Sequence, residues 1–199
     1  MTAPKRRSEF RQEQIVAAAA DLIAQKGLKG LSMAVLAGRI GVVPSALYRH
    51  YRSKEQIVGI ILDRVRDNLR GNLQAARQSS PEPCARLRFV LERHLALLKQ
   101  SPGMPRLVFS DDLGARYPVQ RVKLFGILVE YLEGIESIVK EGQASGCVRA
   151  DLSAAAIARL FLGMVQSAAV MWHLSGGRME PEAGLEGAMK VLERSWTPG

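Results

Sequence analysis

The chain has 199 residues, 47% hydrophobic and 24% charged, the balance of an ordinary soluble globular protein: one domain of moderate size, or a small domain joined to a larger one. Two cysteines, Cys84 and Cys147, are too few for a disulfide scaffold and lack metal-ligand spacing, and Gln12, Glu13, Gln14 and Asp21 break up any N-terminal signal-like run, so the expectation is a cytoplasmic protein with both thiols reduced. The formal charge of +9 suggests a polyanionic partner, nucleic acid or an anionic membrane surface, beside the plainer reading of a basic soluble surface, and ten Lys and Arg against four acids between Met1 and Glu55 place +6 of it in the first quarter of the chain.

No strand alternation persists along the chain, whereas helical periodicity recurs throughout, and plentiful Ala and Leu favour it. The first helix runs from about Glu9 to Lys26, with Ile15, Ala18, Ala19, Leu22 and Ile23 on one face and Gly27 as its stop. Lys5, Arg6 and Arg7 before it read either as an arm for a DNA minor groove or as a solubilising tail. A short second helix follows Ser32, a good N-cap, turns Val35, Leu36 and Ile40 inward and ends at Gly41. The third spans Pro44 to His50. The fourth begins at Ser53, whose S-x-x-Q pattern with Gln56 resembles a capping box, and carries Ile57, Ile60, Ile61, Val65 and Leu69 on its stripe.

After Ser79-Ser80-Pro81 the helices lengthen. One spans about Pro83 to Gln100. The segment 101–112 holds a turn and a short helix. Further helices run from about Val119 to Gly142, from Ser153 to Leu174, and from Pro181 to Trp196. The sum is an all-α protein of about nine helices: an N-terminal three-helix head over residues 1–54, and a C-terminal bundle over 55–199.

The stretch GVVPSALYRHYRSK, residues 41–54, carries the functional signal. Two short helices joined through Gly41-Val42-Val43 fit a helix-turn-helix, whose second helix lies in the DNA major groove. Leu47 and Tyr51, four apart, anchor one side and leave the other free. Pro44 suits the first helical position, where its missing N–H is no loss. Pro44, Ser45 and Ala46 are small enough for close approach to bases. Arg49 reaches guanine edges, and Tyr48, His50 and Lys54 suit phosphate oxygens.

Residues 10–60 resemble the N-terminal domain of the tetracycline-repressor (TetR) family, in the amphipathic first helix ending at Gly27, in GLSMAVLAGRIGV, and above all in LYRHYRSKEQIV. The resemblance implies an all-α homodimer with a DNA-binding head and a C-terminal domain for ligand binding and dimerisation, in which a small molecule relieves repression. By position it implies phosphate contacts from Tyr48 and Lys54, packing of Tyr51 against the first helix, base contacts from Pro44, Ser45 and Arg49, and a cap with phosphate contact from Ser32. Val43 departs from the pattern, standing where many members carry a capping Ser or Thr.

In the bundle, the helix over 153–174 is apolar nearly all round yet carries Gln166 and His173, which argues for burial rather than a membrane span. With Leu185, Met189, Leu192 and Trp196 of the last helix, and with Gly163, Ala168 and Ala169 allowing close approach, it reads as half of a four-helix dimer seam. His94, Phe109, Phe125, Tyr131, Met164 and Trp172 fall on expected inner faces and are candidates for a ligand pocket, with core packing as the competing reading. Asp111-Asp112 suits either a cationic ligand or a helix end. No cofactor or metal is expected, and no membrane: the expected partners are double-stranded DNA, a small largely apolar effector and a second copy. Non-specific DNA coating and transcriptional activation stay open beside repression. A helical enzyme lacks any phosphate loop, metal cluster or triad-like grouping of its three histidines.

Overall fold

The computed structural model describes the backbone of residues 3–101 and 103–197, and their side chains except at 3–9 and 185. Among the described residues ten α-helices carry the fold: α1 (Ala3–Lys26), α2 (Met33–Arg39), α3 (Pro44–Tyr48), α4 (Lys54–Ser79), α5 (Pro83–Gln100), α6 (Gly103–Val108), α7 (Asp111–Arg116), α8 (Pro118–Ser145), α9 (Ala154–Leu174) and α10 (Leu185–Trp196). A 3-10 turn, Leu28–Gly30, links α1 to α2, and there is no strand among the described residues. The chain is all-α. The segment expected to hold one short helix folds into two, α6 and α7. Asp111 and Asp112 form the first turn of α7, where carboxylates favour the helix dipole, and Asp112 pairs with Arg116 one turn on.

The helices group into two compact units, Met1–Val65 with Ser101–Phe125, and Arg66–Gln100 with Gly126–Gly199, so the division falls within α4 and within α8. In the first unit α1 begins earlier than its pattern suggests. Residues 5–7 are helical rather than a loose arm, and their side chains lie outside the described ones. Ile15, Val16, Ala19, Leu22 and Ile23 bury the inner face of α1, the four larger side chains contributing up to about 3 kcal/mol each as they leave water. Gly103 starts α6 so close to α1 that a methyl group there would lie 2.8 Å from the Ala20 carbonyl and 3.1 Å from Ala24 Cβ. Arg106 donates to the Gln25 carbonyl at 2.9 Å, Gln120 to the Glu55 carbonyl at 3.0 Å, and Lys123 to the Gly59 carbonyl at 2.8 Å and Asp63 at 2.6 Å.

The second unit packs α5, α9, α10 and the remaining lengths of α4 and α8. Arg70 forms a two-pronged pair with Glu130, and Arg88 donates from one terminal nitrogen, Nη2, to both Glu193 oxygens at 2.8 Å. Met189, Leu192 and Trp196 are buried inside this chain, so the stripe read as a dimer seam belongs to the unit's own core; Leu185 lies outside the described side chains. Ala169 likewise faces inward. Helix α9 is long and apolar enough to cross a membrane. One face of it, with Ile157, Phe161 and Val165, packs into the core as a globular protein's central helix does.

Cys84, in the first turn of α5, meets Cys147, in the loop after α8, as a disulfide, with Cα atoms 6.5 Å apart. This corrects the expectation of two separate thiols. A separation of 63 positions hides that the fold brings the start of α5 to the end of α8, as the 2.6 Å pair Arg86–Glu141 also records.

Candidate nucleic-acid interface and interior site

The head is ordered by local chemistry. Ser32 takes an extended backbone and its hydroxyl accepts the Val35 N–H at 3.2 Å, capping α2. Leu36 is buried, whereas Val35 is exposed and Ile40 half-buried, so the inward face of α2 is narrower than its apolar residues suggest. Gly41, at φ +70°, ends α2 with a reversal that an L side chain rarely adopts, and the Val42 N–H returns to the Ala37 carbonyl at 3.0 Å. Val43 occupies the N-cap of α3 without any side-chain bond to it, and Pro44 opens the helix.

From there the helical period sorts the residues. Leu47 and Tyr51 are buried, and the Tyr51 hydroxyl donates to the Gln12 carbonyl of α1 at 3.3 Å, fixing α3 to α1. Burial raises the Tyr51 phenol above its ordinary pKa, against a smaller opposing pull from Arg64, so it remains a neutral donor. Pro44, Ser45, Tyr48 and Arg49 lie on the opposite face and are exposed, Tyr48 by 54%. Ala46 and His50 are half-buried at its edges. Lys54, at the start of α4, is half-buried with its ammonium 5.5 Å from the centre of the Tyr117 ring, a cation–π contact that holds its long stem. The expected capping box is present in variant form: Ser53 accepts the Gln56 N–H at 3.4 Å, and the Gln56 side chain accepts the Arg52 N–H at 2.8 Å. Among the described residues, the Tyr48 and Arg49 side chains have no partner within the chain. Arg39, at the end of α2, is engaged with Asp21 and Gln25.

The six residues expected to line a pocket do not converge. Phe109 and Phe125 are 46% and 69% exposed, a correction to their expected inward placement: α8 offers two apolar faces in its first turns, and Leu124, Ile127 and Tyr131 take the inner one while Val119, Val122 and Phe125 take the outer. Met164 lines an open groove of about 840 Å³ along the outer side of α9 and the approach to α10, with Leu160, Gly163, Ser167, Ala168 and Met171. Trp172 is half-buried near the end of α9.

His94 and Tyr131 do meet, edge to face with ring centres 5.2 Å apart. Asn72 of α4 completes the group, its amide donating to the Tyr131 oxygen and the Val90 carbonyl, both at 2.9 Å. Burial holds the His94 imidazole down at about 4 and lifts the Tyr131 phenol well above its usual range, so the cluster is uncharged at neutral pH. Asn72 escaped the sequence reading, although it stands three residues after Leu69 and four before Ala76 on the buried stripe of α4. A polar residue in such a register was the available signal.

Comparison with known proteins places these features. Residues 15–59 match the family model described as bacterial regulatory proteins, tetR family, and residues 80–194 match the tetracyclin repressor-like C-terminal domain. Among curated proteins, the chain is 22% identical over 187 residues to the nucleoid occlusion factor SlmA of Marinomonas sp. (strain MWYL1), covering 94% of this chain and 91% of that one. Among solved structures it resembles the TetR family transcriptional regulator PfmR from Thermus thermophilus (TM-score 0.77, 24% identity, 90% and 97% of the two chains covered). It also resembles the transcriptional regulator FadR from Bacillus subtilis in complex with stearoyl-CoA (TM-score 0.78, 20% identity, 90% and 96% covered).

Proposed function

The chain belongs to the tetR family of bacterial regulatory proteins, DNA-binding transcriptional regulators, and from that premise we propose that it is a cytoplasmic repressor of this kind, binding a near-palindromic operator as a homodimer and leaving it when a small, largely apolar ligand binds. In this reading residues 1–54 supply the DNA-reading part and residues 55–199 the effector and dimerisation part. The observation that carries it is the exposed face of α3. Pro44, Ser45, Tyr48 and Arg49 are turned out of the core while Leu47 and Tyr51 hold the helix from behind. Such a face is free to enter a major groove, with Arg49 on base edges, Tyr48, His50 and Lys54 on phosphates, and Ser32 on a phosphate beside its cap.

Two copies meet in this reading along the outer side of α9 and α10. Leu160, Met171, Leu174 and Val191 are 62%, 45%, 74% and 70% exposed, and Gly163 and Ala168 leave room for close approach. A ligand shifts the operator equilibrium only as far as it prefers the non-binding arrangement of the two heads.

The test is selection of bound duplexes from a random DNA library by the purified protein at physiological salt. The expected result is an inverted repeat. Retention of DNA with no enriched sequence would replace this reading by non-specific coating, with steep salt dependence as its mark.

A further inference from the structure

Lys54 is a cation in an unfavourable place. It is the first residue of α4, where the helix dipole presents its positive end. Among the described residues its ammonium forms no ion pair and no side-chain hydrogen bond. What holds it is the Tyr117 ring, with the ammonium 5.5 Å from the ring centre. A cation kept at a helix start, without an anion of its own, is left with its charge to spend on an anion from outside.

Tyr117 is itself firmly held. It ends α7, its carbonyl accepts the Arg121 N–H at 2.9 Å as α8 begins, and Pro118 restricts the backbone between the two helices. The residue is only 3% exposed. At steps of three along α8 come Gln120 and Lys123, which donate to the Glu55 carbonyl, and to the Gly59 carbonyl and Asp63. The ring and the start of α4 are therefore kept in one register, and all of these residues belong to the first unit. Among the described residues the Tyr117 hydroxyl makes no hydrogen bond, so the ring is the part of the side chain that meets Lys54.

We propose that Tyr117 is a positioning residue for DNA binding, holding the Lys54 ammonium at the start of α4 so that it meets a backbone phosphate already ordered. The inference rests on the phosphate contact given to Lys54 in the function proposed above, and names the residue that prepares it. An ammonium carries three N–H donors. The ring attracts one side of it, and the donors turned away remain for phosphate oxygens. A free lysine stem would lose its rotamer freedom on docking, whereas this half-buried stem loses less. Arg49, on the exposed face of α3, has no such support among the described residues, which suits a side chain that must search base edges.

The experiment uses the full-length protein and two readouts. Without DNA, lysine-selective carbon-13 labelling reports the ε-methylene resonance of Lys54, identified by its absence in Lys54→Met. It should lie upfield of the other lysines in wild type and Tyr117→Phe, and move to the ordinary position in Tyr117→Leu. With DNA, affinity is measured on a duplex recovered from the random library. Tyr117→Phe should stay within about two-fold of wild type. Tyr117→Leu should bind about three-fold more weakly for each head, about ten-fold for a two-headed complex. In a Lys54→Met background Tyr117→Leu should cause no further loss, which separates positioning from general damage to the fold. Replacement of Tyr117 by pentafluorophenylalanine keeps the ring's size and opposes its attraction for cations, so it should give the same loss and stands in if Tyr117→Leu does not fold. An ordinary Lys54 resonance in wild type, full affinity in Tyr117→Leu and the fluorinated variant, an equal loss with and without Lys54, or full affinity in Lys54→Met would each overturn the proposal. Any of these beside an enriched inverted repeat removes the positioning role and leaves the regulator standing. Retention of no duplex removes both, while the resonance, read without DNA, still reports the ring contact.

Discussion

Opening the Cys84–Cys147 link tests the architecture of the second unit directly. The bond closes a loop of 63 positions and ties the start of α5 to the turn between α8 and α9. In the chain-entropy account, a closed loop of this length removes enough freedom from the unfolded chain to stabilise the native state by about 4 kcal/mol. For a protein of this size that corresponds to a fall of roughly 10 °C in melting temperature on reduction. The turn is also held by non-covalent bonds that survive reduction: the Arg149 N–H to the Trp196 carbonyl at 2.6 Å, and the Gln143 side chain to the Arg149 and Leu152 carbonyls at 3.1 and 2.8 Å. The fold should therefore persist in reducing buffer, less stable but intact. The assay is a pair of thermal melts with and without a phosphine reductant, alongside Cys84→Ser/Cys147→Ser, which should melt like the reduced wild type and ignore the reductant. Equal melting of oxidised and reduced wild type, with free thiols in both by alkylation and mass measurement, would refute the pairing.

Five single substitutions carry the remaining expectations. Ser32→Ala should lower stability by about 1 kcal/mol through loss of the α2 cap, and Val43→Ser should raise it by up to about 1 kcal/mol by supplying the cap α3 lacks, both read by thermal melting; opposite signs would contradict the capping geometry. Gly103→Ala should cost about 1–3 kcal/mol, because the new methyl meets the α1 backbone, and a neutral result would show that α6 shifts freely. His94 has a native pKa of about 4 against an ordinary 6.5, so the unfolded chain takes up its proton first as pH falls; its contribution is fully present above 6.5 and is lost by about pH 4, amounting to about 3 kcal/mol, and acid melts of His94→Gln should lose that slope. Arg49→Ala should relax sequence preference by about 1–3 kcal/mol at one operator position, whereas uniform weakening on all DNA would assign Arg49 to phosphate.

What the sequence made legible was local. Ser32 and its cap, the Gly27 and Gly41 stops, and the Leu47/Tyr51 anchor all depend on residues within a turn or two, and their chemistry admits few alternatives. The same holds for the exposed side of α3, since two anchors four apart define the opposite face. What stayed hidden depends on which surface meets which. Helix α8 is apolar on two faces, so periodicity did not distinguish Phe125, which lies outside, from Tyr131, which lies inside. The stripe of α10 was apolar enough for a dimer seam and serves the core of its own chain. The cysteines lie far apart in sequence, and only the packing of α5 beside the end of α8 joins them. Asn72 was overlooked because a single polar residue on a long helix looks like a surface residue until its register is followed.

The close seating of α6 on α1 has a consequence for how such a protein is made and remade. The unit that carries α3 is assembled from two separated stretches of chain, Met1–Val65 and Ser101–Phe125. A ribosome delivers α1 well before it delivers α6, so the inner surface around Ala20 and Ala24 waits for its cover until α6 has been synthesised. The same constraint binds anyone who grafts this head onto another regulator. A transplant cut after α3 leaves behind the helix whose glycine fits against α1, and the recipient must offer a glycine at the matching place or the graft arrives with a bare side. A graft that carries both stretches together keeps the α1–α6 fit intact.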